Sequence, residues 1–170
     1  VNGIFSNVSF DLKKGEILGV AGLMGSGRTE IMETLFGYRK ADSGQIYLNG
    51  KRIRIKNTRD AIKHGFAFLT EDRKKTGCFL PLSVRDNLVM LTWNKYLRAC
   101  ILDKKLIKKA CYEQIQLFSI KTAGLEQKIN NLSGGNQQKV LVSRWLQSEP
   151  DILILDEPTR GIDVATKTEI

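Results

Sequence analysis

The sequence predicts an α/β fold with one core, an antiparallel β portion near the start and a helical subdomain from about Gly77 to Lys128. Three observations carry this expectation. A glycine-rich turn separates a short apolar run from a helical pattern, and Asn49-Gly50 separates two alternating segments. Near the other end, Ile152-Leu153-Ile154-Leu155 runs directly into the paired carboxylates Asp156-Glu157.

Residues 8–11 alternate apolar and polar side chains, Lys13-Lys14-Gly15 supplies a turn, and residues 16–21 are a short apolar run. The expectation is strand, turn and buried strand. Across residues 29–38, Ile31, Leu35 and Phe36 fall at helical spacing and Gly37 is a stop signal, so a helix starts at the glycine-rich turn. Residues 45–48 and 52–55 alternate on either side of Asn49-Gly50, the strongest short hairpin signal, and predict an antiparallel pair. Residues 58–64 predict a short helix, and residues 66–69 a core strand that delivers Glu71 to a loop. Ser83 and Asp86 have capping-box spacing ahead of Leu88, Val89 and Leu91. Asp103 can cap a helix carrying Leu106, Ile107, Ala110, Cys111 and Ile115. After Ser133-Gly134-Gly135 an amphipathic helix carries Val140, Leu141 and Trp145, and residues 152–155 predict a buried strand. The only histidine, His64, reads as a surface or packing residue, and Trp93 and Trp145 as packing residues.

With 170 residues, 42% hydrophobic and 26% charged, the chain has material for one core and too little length for two ordinary domains. No apolar run approaches the roughly 18–20 residues that cross a bilayer, and the first residues lack the pattern of a signal peptide, so membrane association is expected through a partner. Cys78, Cys100 and Cys111 are odd in number and lack metal-ligand spacing. A disulfide framework or zinc site is not expected, and a reducing cytoplasm fits. Of the charges behind the net +9, nine basic and three acidic residues lie between Lys51 and Lys75. They scatter over strand, helix and loop without a basic stripe or aromatic interleaving, which favours a solvated face near anionic headgroups over nucleic acid.

Gly22-Leu23-Met24-Gly25-Ser26-Gly27-Arg28-Thr29 fits the P-loop spacing, with arginine where the motif has lysine. A triphosphate needs a concave run of backbone N–H groups with the positive end of a helix behind it; Gly22, Gly25 and Gly27 supply that shape. Thr29 has the hydroxyl position that ligates Mg2+, and Arg28 meets phosphate through a planar fork rather than a compact ammonium. The strand before and helix after favour this over a plain structural turn. Residues 152–157 have the pattern of a Walker B strand, whose burial aims Asp156 at magnesium and Glu157 at the attacking water. Leu132-Ser133-Gly134-Gly135-Asn136-Gln137-Gln138 is the most specific element. A serine hydroxyl and two glycine amides at a helix N-terminus can hold a γ-phosphate, although the same residues alone also describe a capped helix start.

In that order, P-loop, signature and Walker B resemble the ATP-binding cassette of an ABC transporter. The resemblance covers essentially the whole chain. It narrows through residues 22–30, Glu71-Asp72-Arg73-Lys74, residues 132–139 and residues 156–163, which are similar to the second cassette of tandem ATPases driving monosaccharide importers. Galactose/methyl-galactoside, ribose and xylose types are close relatives there, and Glu33-Thr34-Leu35-Phe36-Gly37 leans toward the galactose type. The resemblance implies a P-loop NTPase (ABC ATPase) core. It implies one incomplete cassette, truncated at both ends: residues 1–76 as β portion and P-loop core, 77–128 as helical subdomain, and 129–170 as signature, Walker B and D-loop. The adenine-stacking and switch residues are expected outside the chain.

By the same resemblance, Gly22, Gly25, Ser26, Gly27, Arg28 and Thr29 bind ATP phosphates, Ser133, Gly134 and Gly135 form the signature, and Asp163 belongs to the D-loop. Glu157 is the catalytic residue, and Thr29 and Asp156 hold Mg2+. Glu71 stands where most cassettes have glutamine; its extra charge either tightens the metal or repels the γ-phosphate, and an exposed charged loop is the competing reading. The expected function is ATP hydrolysis energising monosaccharide import. The alternative is a catalytically weak regulatory cassette that binds ATP and completes its partner's site. Expected partners are the first cassette of the same tandem protein or a second copy, a transmembrane permease and, indirectly, a sugar-binding protein, with no nucleic acid. The expected location is the cytoplasmic face of the inner membrane, as a peripheral subunit.

Overall fold

Glycine punctuation sets the architecture of the first part of the chain. In the computed structural model, which describes residue 1 and residues 3–170, the chain divides into two units, residues 1–67 and 68–170. In the first unit, helix α1 (Arg28–Leu35) begins after Gly27 in the left-handed region, φ +88°, and stops at Gly37, φ +75°. The Tyr38 amide donates to the Glu33 carbonyl at 2.8 Å and the Gly37 amide to Thr34 at 3.1 Å, the paired bonds that close a helix C-terminus. A Cβ at Gly37 would lie 2.7 Å from the Asn57 backbone and from Ile55 Cγ2, so glycine answers both a backbone and a packing demand.

The expected hairpin forms from β1 (Ile46–Leu48) and β2 (Lys51–Ile53), antiparallel with Ile46 opposite Ile53 and Leu48 opposite Lys51. Asn49 and Gly50 at its tip have φ +51° and +75°, the type I′ geometry that suits the strand twist. Helix α2 (Thr58–Lys63) is capped by Asn57, whose side chain accepts from the Asp60 amide at 3.1 Å. The strands expected at residues 8–11 and 16–21 are not present. Those residues have no regular secondary structure and are exposed, Ile17 at 97%. Alternation supplies a side-chain pattern, but a strand exists only as one side of a hydrogen-bonded ladder, and no ladder reaches these residues.

Strand β3 (Phe66–Leu69), in which the boundary between the units falls, is buried at all four positions. Beyond it a five-residue π-helical turn, Arg73–Gly77, is capped by Asp72, whose carboxylate accepts from the Lys74 and Lys75 amides at 3.0 and 3.1 Å. Helices α3 (Val84–Val89) and α4 (Lys104–Leu117) start where the sequence placed their caps. Ser83 Oγ accepts from the Asp86 amide, and Asp103 accepts from the Lys105 and Leu106 amides, each at 3.0 Å. Backbone hydrogen bonding to Leu106 holds the Asp103 carboxyl below its usual range. Between these helices lies a hairpin the sequence reading did not anticipate, β4 (Leu97–Arg98) with β5 (Ile101–Leu102). Its tip uses Ala99 and Cys100 at φ +46° and +66°, so the asparagine or glycine that would announce such a turn is missing.

Helix α5 (Gly134–Leu146) is the centre of the second unit and packs with α3, which also meets α4. Val84, Leu88, Cys111, Ile129, Val140 and Leu141 are its most deeply buried apolar residues. Asn87 is completely buried among them, where its Oδ1 accepts from the Phe79 amide at 3.0 Å and its Nδ2 donates to the Phe79 and Ser83 carbonyls. A buried amide satisfied this way fixes the 79–83 loop against α3. Strand β6 (Ile152–Leu155) pairs with β3, the Asp156 amide donating to the Leu69 carbonyl at 2.9 Å. Only Ile154 is buried, and Leu153 and Leu155 are 39% and 50% exposed, so the expected buried strand is half-covered. Its partner β3 in this two-stranded sheet is buried at all four positions, so β6 is the less covered side of the pair. Helix α6 (Val164–Glu169) follows. Trp145 packs in the core as expected, whereas Trp93 is half exposed.

The three thiols differ sharply. Burial pushes Cys78 up to about 11 and Cys111 up to about 12, while Cys100 is exposed at the β4–β5 tip. At pH 8 in native protein, a maleimide should label Cys100 first, with Cys78 and Cys111 reacting only after unfolding. Peptide mapping of the adducts checks this, and early labelling at Cys111 would contradict the packing described here.

Candidate functional site

Two sets of candidate residues lie in separate units. In the first unit, residues 22–26 form an exposed loop that enters α1 through the buried Gly27, closed by a turn in which the Ser26 amide donates to the Leu23 carbonyl at 3.1 Å. Gly25 and Gly27 both have positive φ, +78° and +88°, a backbone that costs other residues strain. At Gly22 a Cβ would come within 2.6 Å of Ser26 Oγ, so a side chain there would displace the serine. Because Gly27 is the N-cap, no side chain caps the first turn of α1. Gly22, Gly25, Ser26, Gly27, Arg28 and Thr29 are thus consecutive elements of one loop-to-helix junction.

In the second unit, Ser133, Gly134 and Gly135 open α5. Ser133 Oγ accepts from Asn136 Nδ2 at 2.9 Å and from its amide at 3.4 Å, which leaves the hydroxyl hydrogen available to an outside acceptor. No acidic residue lies in the first turn, so the positive end of a 13-residue helix is not offset there. The loop ahead is held by Gln137, whose Nε2 donates to the Ile129 and Leu132 carbonyls at 3.2 Å. The glycines are needed for close approach. A Cβ at Gly134 would fall into the Arg73 guanidinium, and one at Gly135 would lie 2.6 Å from Thr166 Cγ2.

Asp156 and Glu157 leave the end of β6. Glu157 has φ +44°, a left-handed conformation that is unfavourable for a long side chain, and it starts a turn closed by the Arg160 amide donating to the Glu157 carbonyl at 3.0 Å. That turn is tied to α5 by Gln138 Nε2, which donates to the Pro158 carbonyl at 2.7 Å. Asp163 caps α6, accepting from the Thr166 amide at 2.9 Å and its hydroxyl at 2.8 Å, and the Thr166 amide bond first holds its carboxyl low. Glu71 is ion-paired with Arg160. Arg73 donates from Nη1 to the Arg160 carbonyl at 2.9 Å and from Nη2 to the Gly161 carbonyl at 3.2 Å.

The structure therefore gathers Glu71, the signature residues, the 156–163 segment and Asp163 into one neighbourhood of the second unit. The sequence reading quoted Arg73 and Arg160 within motifs but assigned them no role, and it missed Thr166. An arginine in a short charged run gives no sign of which carbonyls it will meet. The candidate metal ligands Thr29, Asp156 and Glu71 offer hydroxyl and carboxylate oxygens, the hard donors that suit Mg2+, which takes few protein ligands and completes its shell with phosphate and water. Among the described residues no group of three or more His, Cys, Asp or Glu is clustered as a metal cage of its own.

A family model described as ABC transporter matches residues 5–160. The putative ribose/galactose/methyl galactoside import ATP-binding protein of Halalkalibacterium halodurans is 58% identical over 165 residues, covering 97% of this chain and 32% of that protein. The galactose/methyl galactoside import ATP-binding protein of Photobacterium profundum is 52% identical over 172 residues, covering 100% of this chain and 35% of that protein. The chain spans about a third of the length of the curated relatives it matches. Among solved structures, a dimeric ATP-binding cassette in a post-hydrolysis state with ADP and Pi has a TM-score of 0.78 at 23% identity, covering 96% of this chain and 70% of that one. A dimeric bacterial ABC transporter cassette gives 0.79 with the same identity and coverage. At that identity the likeness establishes the shared fold.

Proposed function

The chain belongs to the ABC transporter family, with the P-loop cassette fold, and from that premise we propose that it binds and hydrolyses ATP to energise monosaccharide import across the cytoplasmic membrane. The observation that carries the reading is the serine-capped, acid-free N-terminus of α5 at the signature motif, in a chain similar throughout to sugar-import ATP-binding proteins. The cassette comprises a β portion and P-loop core over residues 1–76, a helical subdomain over 77–128, and the signature, Walker B and D-loop over 129–170. No helix among the described residues is long and apolar enough to cross a membrane, which suits a peripheral subunit working through a permease at the cytoplasmic face. Its partners are a permease, a sugar-binding protein that delivers the sugar, and a first cassette in the same protein or a second copy.

Mechanistically, the amides of residues 22–29, with Ser26 and Arg28, hold the phosphates of ATP. The two glycines at left-handed φ shape that cradle, and the α1 dipole adds attraction. Ser133, Gly134 and Gly135 present a hydroxyl and amides to the γ-phosphate bound on the partner cassette. Glu157 polarises the attacking water, and its turn, bonded to Gln138 and Arg73, fixes where that carboxylate begins. Thr29 on the first unit and Asp156 on the second each offer an oxygen donor of the kind Mg2+ takes, and the ion when bound would compensate phosphate charge. The Arg160 guanidinium offsets the Glu71 carboxylate, so the extra charge at that position is balanced within the chain.

Arg28 is the specific observation behind unequal sites. Its fork replaces the compact ammonium that suits a point contact on phosphate, so the site built on this P-loop turns over more slowly than the one completed by this signature. Arg28→Lys should raise single-turnover hydrolysis at this chain's own site by about tenfold, equivalent to about 1.4 kcal/mol at the transition state. The measurement is product formation in the full-length protein with its permease, each site trapped in turn. Equal rates at the two sites before substitution would falsify the inequality.

A further inference from the structure

We infer that Arg73 is a positioning residue that clasps the turn after Glu157 to the N-terminus of α5, so that the catalytic carboxylate and the phosphate-binding signature move as one piece. The inference rests on the reading of Glu157 and Ser133–Gly135 just given. Its geometry is independent of that reading. The two acceptors of the guanidinium are consecutive backbone carbonyls, Arg160 at 2.9 Å and Gly161 at 3.2 Å, lying 87 and 88 residues along the chain. The Nη2 that donates to Gly161 also lies where a side chain on Gly134 would have to sit, and a Cβ there would be 3.4 Å from the Gly161 carbonyl oxygen. Arg73 therefore fills the gap between the first residue of α5 and the turn from β6.

Two features separate this from an incidental surface contact. First, a planar fork matches two neighbouring carbonyls, a geometry that a lysine ammonium cannot reproduce. Second, the Arg73 Nε is buried with no hydrogen-bond partner among the described residues, so the side chain is set into the protein rather than lying along its surface. Glu71, two residues earlier, doubles the tie through Arg160.

The backbone carrying Arg73 is itself braced. Asp72 caps the π-helical turn, and the Thr76 hydroxyl donates to Thr70 Oγ1 at 2.7 Å. At its far end a Cβ on Gly77 would lie 2.8 Å from Leu141 Cδ1, and Arg144 Nη2 donates to the Gly77 carbonyl at 2.8 Å. The segment is thus fastened to α5 near Gly134 and again at Arg144, ten residues or about 15 Å along the helix. Single-turn π segments recur at functional sites, where an irregular backbone re-aims side chains. Here it aims one arginine across the helix end while Lys74 and Lys75 stay exposed.

The test uses the full-length protein assembled with its permease and compares Arg73→Ala, Arg73→Gln and Arg73→Lys with Glu157→Gln. Arg73→Ala should lower kcat for ATP by about tenfold with KM changed by less than about threefold, because misplacement of reacting groups slows chemistry more than binding. Arg73→Lys should recover part of the loss. Hydrogen exchange should quicken together at amides 134–136 and 160–163 in the alanine variant. Arg73→Gln, which is shorter and uncharged but keeps a polar NH2 group in place of the guanidinium, takes its place if the alanine protein does not fold. Unchanged kcat with Glu157→Gln inactive overturns the clasp alone, as does exchange that quickens on one side only. Undiminished single-turnover hydrolysis at this chain's own site in Glu157→Gln overturns the catalytic reading and this inference with it.

Discussion

Exchanging Ser133 for arginine should reduce steady-state ATP turnover of the assembled transporter by on the order of a hundredfold or more, the scale seen when one preorganised donor to developing charge is lost. The helix itself should survive. Losing the Ser133 cap costs about 1 kcal/mol, and α5 is anchored elsewhere by Val140, Leu141 and Trp145. What changes is the face presented to phosphate. The exposed hydroxyl is replaced by a long guanidinium at a helix end with no acidic residue to draw it aside. Nucleotide binding at the 22–29 loop should be nearly unchanged. Turnover and equilibrium binding of a non-hydrolysable ATP analogue, measured on the same preparation, check both halves. Retained turnover would show that the signature of this chain completes no hydrolytic site.

Glu157→Gln should slow single-turnover hydrolysis at this chain's own site by on the order of 10²–10³, within the range that positioned acid–base groups contribute. The substitution keeps side-chain length and the turn closed by the Arg160 amide, and it removes only the charge. ATP should remain bound and unhydrolysed, which trapping of labelled nucleotide reads directly. The two substitutions together separate the proposed function from its alternative. If both suppress turnover, the cassette hydrolyses ATP and also completes its partner's site. If Ser133→Arg alone does so, the chain is a nucleotide clamp whose Arg28 marks a weak site.

How much was legible in advance depended on the range over which each feature is decided. Asn57, Ser83, Asp103, Ser133 and Asp163 cap helices through amides two or three residues on, and Asn49-Gly50 closes a two-residue turn, so those elements follow from adjacent residues. The β4–β5 hairpin was not legible because Ala99 and Cys100 carry no turn preference, and their left-handed backbone is imposed by the strands they join. Residues 8–11 and 16–21 failed in the opposite direction, having a strand pattern without a ladder.

The candidate site divides along the same line. Sequence by itself determined the family, the order of glycine loop, signature and carboxylate pair, and the chemistry each can offer, because those properties reside in contiguous residues. Tertiary structure alone decided that Arg73 reaches the carbonyls of residues 160 and 161, that Glu71 is neutralised by Arg160, and that Gly135 must be bare to admit Thr166. The physical reason is that a hydrogen bond or a close packing contact depends on where the second partner lies. For partners some 30 to 90 residues apart, that position is set by the packing of α5 and the exit of β6, not by any pattern written near either residue.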